Sequence, residues 1–187
     1  DHDFWQDYVA GQITHFEALA GSFGSIRSDW PGIEQVLAGM QLDPTLKDSV
    51  ARLRAAGWDI VVASAGCGWY IERLLRQAGV ELEVHANPGE FAPETGLRLT
   101  LPTASPYFKR ETGIDKPAIV RAALARDPNA VFAGDGRPDL APASLVKPRR
   151  RFATGWLAHH LKKTGEDFRP FETWSQIAAA LLEETPC

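Results

Sequence analysis

Two carboxylates four residues apart, Asp135 and Asp139, lie in the stretch AVFAGDGRPDLAPA at positions 130–143. Two unit charges about 4 Å apart repel each other by roughly 4 kcal/mol at an effective dielectric near 20, so the pair is costly unless a cation lies beside it. The pattern therefore predicts a divalent-cation site. The alternative is a solvated turn followed by a helix start, since the helix dipole would favour Asp139 directly after Pro138.

Ser64 is the second residue that could do chemistry, because it follows the apolar run Ile60–Ala63. Gly66 and Gly68 come next, and they would let backbone N–H groups approach an anion at a helix start. An ordinary turn between a strand and a helix explains the same residues.

Lys116 follows Asp115, which resembles a helix cap. A cation in the first turn of a helix opposes the helix dipole by about 0.3 to 1 kcal/mol. A nearby anion would remove this conflict, and a lysine that reaches out to water is the alternative.

Buried strands and helices alternate along the chain and would position these residues. Apolar runs predict strands at 60–64, 82–86 and 130–134, with a weaker one at 151–153. Apolar residues at helical spacing predict helices at 43–57, 66–79 and from 115 onward, and again at about 155–164 and 173–183. The first 40 residues predict two or three short helices, and alternating leucines within 87–113 predict a hairpin or flap.

This order predicts an α/β fold with a Rossmann-like parallel sheet flanked by helices. The chain has 187 residues, 44% of them hydrophobic, and a net charge of −4, which suits one globular core with a small appended module. We expect no nucleic-acid partner, because the run Lys147–Arg151 is the one basic cluster and a solvated turn explains it. With no apolar run of 18 residues and no secretory signal, we expect no membrane partner and a cytoplasmic protein. Cys67 and Cys187 form no CxxC pair, so a disulfide framework or zinc site is not expected.

Serine with small residues, then lysine, then GDGxxD, each at a strand end or helix start, resemble motifs two, three and four of the haloacid-dehalogenase-like (HAD) phosphatases. The spacing is similar to that of the branch containing phosphoserine phosphatase and the methionine-salvage enolase-phosphatase. The resemblance implies a helical cap at residues 1–44 and an α/β core at 45–187, with a flap at about 85–113.

The resemblance also implies roles for single residues. Lys116 would neutralise the phosphoryl group and its nucleophile, Asp135 would bind Mg²⁺, and Asp139 would act through a metal-bound water or orient Asp135. The phosphate-binding residues would be Ser64, Ala65, Gly66 and Lys116. Lys116 and Asp135 are the candidate catalytic residues, and Asp135 and Asp139 are the candidate metal ligands.

The first motif of the family, which supplies the nucleophilic aspartate on a central strand, is not visible. Asp1-x-Asp3 has the right spacing, but no apolar strand precedes it and Phe4-Trp5 follow where small residues belong. Without that strand, two inner strands would leave backbone groups unpaired, at about 1 to 3 kcal/mol for each buried group. Because the chain also lacks an initiator Met, we expect it to begin within a longer protein.

The sequence thus predicts a Mg²⁺-dependent phosphomonoester hydrolase that forms an aspartyl-phosphate on an upstream aspartate. Its partner would be a small phosphorylated metabolite, and it would be a monomer or homodimer. Tyr107 and Phe108 in the flap are weak candidates for substrate contact. A phosphate-binding protein without catalysis is the alternative. A nucleotide-dependent oxidoreductase is the third hypothesis, because SAGCGW contains only GxG and lacks the third glycine and the downstream acidic residue of the dinucleotide-binding motif.

Overall fold

The computed structural model describes residues 2–184, so the predictions that involve Asp1 and Cys187 lie outside the described residues. Helices α1–α9 within this range are Phe4–Val9, His15–Gly24, Trp30–Gly39, Leu46–Ala55, Gly68–Gln77, Lys116–Arg126, Leu140–Ala143, Gly155–Thr164 and Trp174–Leu182. Strands β1–β9 are Val61–Cys67, Glu83–Asn87, Gly89–Ala92, Gly96–Leu99, Phe108–Lys109, Gly113–Ile114, Phe132–Gly134, Arg151–Ala153 and Arg169–Pro170. The predicted alternation of helices and parallel strands is confirmed.

The chain divides into two compact units, and it passes between them near residue 44 and at two further points. The first unit contains residues 1–42 and 61–115, and the second contains 43–60 and 116–187. The predicted flap and the strand before it thus group with the N-terminal helices. The assignment of a cap and a core stays a prediction.

In the first unit, β1 and β2 form a parallel pair, and two antiparallel hairpins follow, β3–β4 and β5–β6. The hairpin predicted from the alternating leucines is confirmed, because Leu97 is buried while Arg98 on the opposite face is exposed. The buried core consists of Ile33, Cys67, Phe91 and Leu97.

Asp3 has a structural role at the start of helix α1. The Asp3 carboxylate accepts the N–H groups of Trp5 and Gln6, both at 3.0 Å, and so caps the helix start. A side chain that satisfies otherwise unpaired helical N–H groups has a sufficient structural role. The short helices predicted over the first 40 residues are confirmed.

In the second unit, β7, β8 and β9 form a parallel sheet in that order. The weakly predicted strand at 151–153 is its fully buried middle strand. One apolar cluster contains Phe132, Leu157 and Leu161, and another contains Leu53, Phe152 and Ile177.

Among the described residues, the parallel strands belong to separate sheets, β1–β2 and β7–β8–β9, rather than to one continuous sheet. A continuous sheet would have contradicted the expectation of an additional central strand. Residues Val61–Ser64 are only partly buried and Ala133 is exposed, which is unusual for apolar strands that their sequence assigns to a sheet interior. The additional strand stays a prediction.

Candidate phosphate and metal site

Lys116 and Asp139 form a buried ion pair in the second unit. Lys116 is the first residue of α6, and its Nζ lies 2.6 Å from Asp139 Oδ1. The two side chains are only 13% and 4% exposed. The anion that a lysine at a helix start requires is therefore supplied by the chain itself, since the carboxylate offsets the unfavourable helix dipole.

The second oxygen of Asp139 is also occupied. Asp139 Oδ2 accepts the N–H groups of Asp135 at 3.0 Å and Gly136 at 2.9 Å. Gly134 lies against the same carboxylate, because a Cβ there would come within 2.7 Å of it. With both oxygens hydrogen-bonded, Asp139 is placed to hold the turn and the lysine, which favours the orienting role over direct metal binding.

Asp135 lies at the end of β7 and remains exposed. Among residues 2–184, no lysine or arginine forms a salt bridge with it. Partial burial of the carboxyl group, followed by the negative charge of Asp139, raises the pKa of Asp135, while Lys116 opposes this shift. The carbonyl oxygen of Asp135 accepts the N–H of Leu157 at 3.0 Å, which fixes the residue to the start of α8. An anionic Asp135 would thus be stabilised by an added cation.

The donor set fits part of a Mg²⁺ site. Mg²⁺ is usually bound by one or two carboxylates, with water and substrate phosphate as its other ligands. Asp135 can supply one carboxylate, whereas no group of three His, Cys, Asp or Glu residues within 2–184 could hold a metal by itself. These residues suit a metal shared with water and a phosphorylated ligand rather than a metal held only by protein.

Ser64, Ala65 and Gly66 lie in the irregular end of β1, in the first unit. Between Ala63 and Cys67 the strand register shifts, so that three residues face one on β2. Gly66 N–H donates to Ser64 Oγ at 3.0 Å, and the Ala65 carbonyl accepts Asn87 Nδ2 at 2.7 Å. We call Ser64–Cys67 the anion loop, after the role that the resemblance predicts for it.

Asn87 is a residue that the sequence analysis missed. It is fully buried, and its Nδ2 also donates to the Thr112 carbonyl at 3.2 Å, so it joins the anion loop to the residue preceding β6. Gly113 leaves room for it, because a Cβ there would lie 1.6 Å from Asn87 Oδ1. The only signal for Asn87 in the sequence was an asparagine directly after the predicted strand at 82–86.

Tyr107 and Phe108 lie in the first unit near β2. The Tyr107 ring packs edge-on against His85 with 4.8 Å between the centroids, and Phe108 is 38% exposed. Packing against β2 gives Tyr107 a structural role. Substrate contact by either residue stays a prediction.

The remaining candidates have structural explanations. Cys67 is buried, which raises the pKa of its thiol, so it does not resemble a reactive nucleophile. Within the basic run, Arg151 is 5% exposed and pairs with Glu166, and Arg150 pairs with Glu184. His160 stacks on Trp156 with 4.9 Å between the ring centroids.

The comparisons with known proteins identify the fold. No family model and no curated protein matches the chain. A probable phosphoserine phosphatase from Vibrio cholerae is similar in structure, with a TM-score of 0.61 and 18% identity over 98% of this chain and 57% of that one. A substrate-bound phosphoserine phosphatase has a TM-score of 0.63 and 12% identity over 95% and 82% of the two chains.

The chain has the HAD-like fold. A HAD family hydrolase from Salmonella enterica serovar Typhi agrees, with a TM-score of 0.63 and 17% identity over 90% of this chain and 55% of that one. The predicted fold class and the resemblance in fold are confirmed. The chain spans little more than half the length of the Vibrio and Salmonella proteins. Within residues 2–184, no helix is long and apolar enough to cross a membrane.

Proposed function

We propose that this chain belongs to a phosphomonoester hydrolase that acts on a small phosphorylated metabolite. The observation that carries the proposal is the Lys116–Asp139 pair, bonded to the turn that presents Asp135. Phosphoryl transfer needs positioning and positive charge around the equatorial oxygens, with little further chemistry from the protein. The solved structures that share the fold include phosphoserine phosphatases and a HAD family hydrolase, which supports the same reaction class.

Each residue has a separate role in this proposal. Ser64 and the N–H groups of Ala65 and Gly66 would bind phosphoryl oxygens, because a hydroxyl and backbone N–H groups donate well to anions. Lys116 would neutralise charge on the phosphoryl group and its nucleophile, as its ammonium is held in one place by Asp139. The nucleophile is an aspartate of the first-motif type, which would form an aspartyl-phosphate and release the alcohol.

Asp135 would hold Mg²⁺, and Asp139 would orient Asp135 through its backbone N–H. When bound, Mg²⁺ would supply positive charge to the phosphate oxygens. The roles of Asp135 and Lys116 then differ in kind. Asp135 must be ionised to bind a cation, whereas Lys116 acts as a cation itself.

An aryl phosphate tests the proposal. The natural protein that carries this chain is assayed with p-nitrophenyl phosphate and Mg²⁺, beside the variants Asp135→Asn and Lys116→Met. We expect each variant to lose at least about 100-fold in kcat/KM, since a positioned charge contributes several kcal/mol to the transition state. Asp59→Asn is the matched control, because Asp59 is 72% exposed and its nearest cation lies at 3.7 Å.

Two results would contradict the enzyme. Turnover that survives in Asp135→Asn would remove that residue from the mechanism. Saturable binding of inorganic phosphate without turnover would favour the phosphate-binding protein that the sequence analysis kept as its alternative.

A further inference from the structure

The hydroxyl of Tyr70 lies against the anion loop, where the sequence analysis placed no function. Tyr70 is in the first turn of α5, and its Oη is the atom that a Cβ at Gly66 would meet first. The same oxygen would lie 2.6 Å from a Cβ at Gly66. A side chain at position 66 would collide with this hydroxyl unless Tyr70 moved.

Ser64 supplies a second hydroxyl close to Gly66. Its Oγ accepts the Gly66 N–H and would lie 3.2 Å from the same Cβ position. The two hydroxyl oxygens are therefore at most about 6 Å apart, a span that a phosphoryl group can bridge with hydrogen bonds of about 2.7 Å. The Ser64 oxygen already accepts the Gly66 N–H, so its hydroxyl hydrogen is left to donate elsewhere, and the Tyr70 hydroxyl can donate as well.

The ring of Tyr70 is held in position. Phe23 packs edge-on against it with 6.1 Å between the centroids, and the ring belongs to the apolar cluster around Cys67 and Phe91. Burial raises the pKa of Tyr70, so the hydroxyl stays protonated at neutral pH and remains a donor.

We propose that Tyr70 is a second hydroxyl donor to the anion bound by the Ser64 loop, so that two hydroxyls beside Gly66 bind one oxyanion. The inference rests on the phosphate-binding role proposed for this loop. It adds a binding residue six positions beyond the serine. It also explains why residue 66 is a glycine, because the Tyr70 hydroxyl occupies the space that a side chain there would need.

The test is a titration of the natural protein with inorganic phosphate in the presence of Mg²⁺, followed through the amide NMR signals of Gly66 and Cys67. Tyr70→Phe keeps the ring and removes only the hydroxyl. We expect about a tenfold weaker Kd for Tyr70→Phe and for Ser64→Ala, because each loses one hydrogen bond to a charged group. Tyr8→Phe, the same change on α1 of the first unit, should leave Kd unchanged.

Amide hydrogen exchange separates loss of a contact from collapse of the loop. In Tyr70→Phe, the residues of β1 and β2 should keep their protection, which would show that the loop has not collapsed. Gly66→Ala gives a second test of the same contact. The added methyl should weaken phosphate binding strongly in the wild-type background and less in the Tyr70→Phe background, where the colliding oxygen is absent.

Each outcome bears on one claim. If Ser64→Ala weakens binding and Tyr70→Phe does not, Tyr70 is no ligand and the phosphate-binding role of the loop stands. If phosphate causes no saturable shift at Gly66 or Cys67 in the wild-type protein, both this inference and the role of the loop are overturned.

Discussion

The two aspartates of the GDGRPD segment should respond in opposite ways to the same substitution. Asp139→Asn leaves Lys116 buried without its counter-ion and turns a neutral amide toward the ammonium. Asp135→Asn removes a charge that the fold disfavours, since the pKa of Asp135 is raised by burial and by Asp139. Both changes delete one negative charge from the same short segment. A difference between them therefore reports on the contacts of each carboxylate and not on net charge.

The magnitude can be estimated for Asp139. Removing one partner of a buried ion pair costs about 3 to 5 kcal/mol, and the lower figure applies here because Lys116 can still reach some water. A loss of about 3 kcal/mol lowers Tm by at least about 12 °C in a unit of roughly 100 residues. Asp135→Asn should change the free energy of unfolding by less than about 0.5 kcal/mol or increase it.

The pH dependence of the free energy of unfolding tests the role of Asp135 independently. A carboxyl with a raised folded pKa stabilises the protein most when protonated, so this contribution is lost as pH rises above about 4 through the folded pKa. Wild-type protein should therefore lose stability over that window relative to Asp135→Asn, from which the titrating group is absent. Adding Mg²⁺ should stabilise the wild type more than Asp135→Asn, because a ligand of the folded state shifts the equilibrium.

The measurement combines thermal unfolding in EDTA with hydrogen exchange of peptides from β7 and β8, which report on the unit that holds the pair. The double variant Lys116→Met/Asp139→Asn should recover part of the loss, since neither charge is then left buried alone. A cost in Asp135→Asn equal to that in Asp139→Asn, or a cost in Asp139→Asn below about 1 kcal/mol, would refute the assigned roles.

Three further predictions concern the framework. Asp43 accepts hydrogen bonds from Thr45 and from the Ser175 N–H, and the bond from Thr45 is the main cause that lowers the pKa of Asp43 to about 2. Asp43→Asn should therefore lower the free energy of unfolding by about 1 kcal/mol above pH 5, after discounting for solvent screening, and this difference in urea unfolding should vanish as pH falls from 4 toward 2. Gly113→Ala, at φ +78° and against Asn87, should cost at least about 2 kcal/mol and accelerate hydrogen exchange in β2, whereas Gly39→Ala, with open space around it, should not. Arg151→Met removes the hydrogen bonds that Arg151 donates to Glu166 and to the Ala143 carbonyl, so it should lower Tm. Arg149→Met, at an exposed neighbouring position, should change Tm little. Equal effects within the Gly113 and Gly39 pair or within the Arg151 and Arg149 pair would contradict these assignments.

The alternation of strands and helices was readable from the sequence because burial on both faces demands apolar runs, and helical burial demands a period near 3.6. The runs ending at Ser64 and Gly134 were placed in this way, as were the glycines that close α4 and α5. The short strand β9 was missed, because two residues carry no periodicity. The strength of β8 was underestimated, since the arginine that begins it is a buried ion-pair partner and its charge hid the strand.

The sequence by itself determined the fold class and the kinds of residue available for phosphate chemistry, because residue types and their order along alternating elements are properties of the chain alone. Only the tertiary structure decided how the two charges are placed: both oxygens of Asp139 are hydrogen-bonded by Lys116 and two N–H groups, while Asp135 stays exposed. Sequence spacing cannot distinguish the two carboxylates. Their roles depend on partners 23 residues away and on the turn between them, and such contacts form only when the chain is folded.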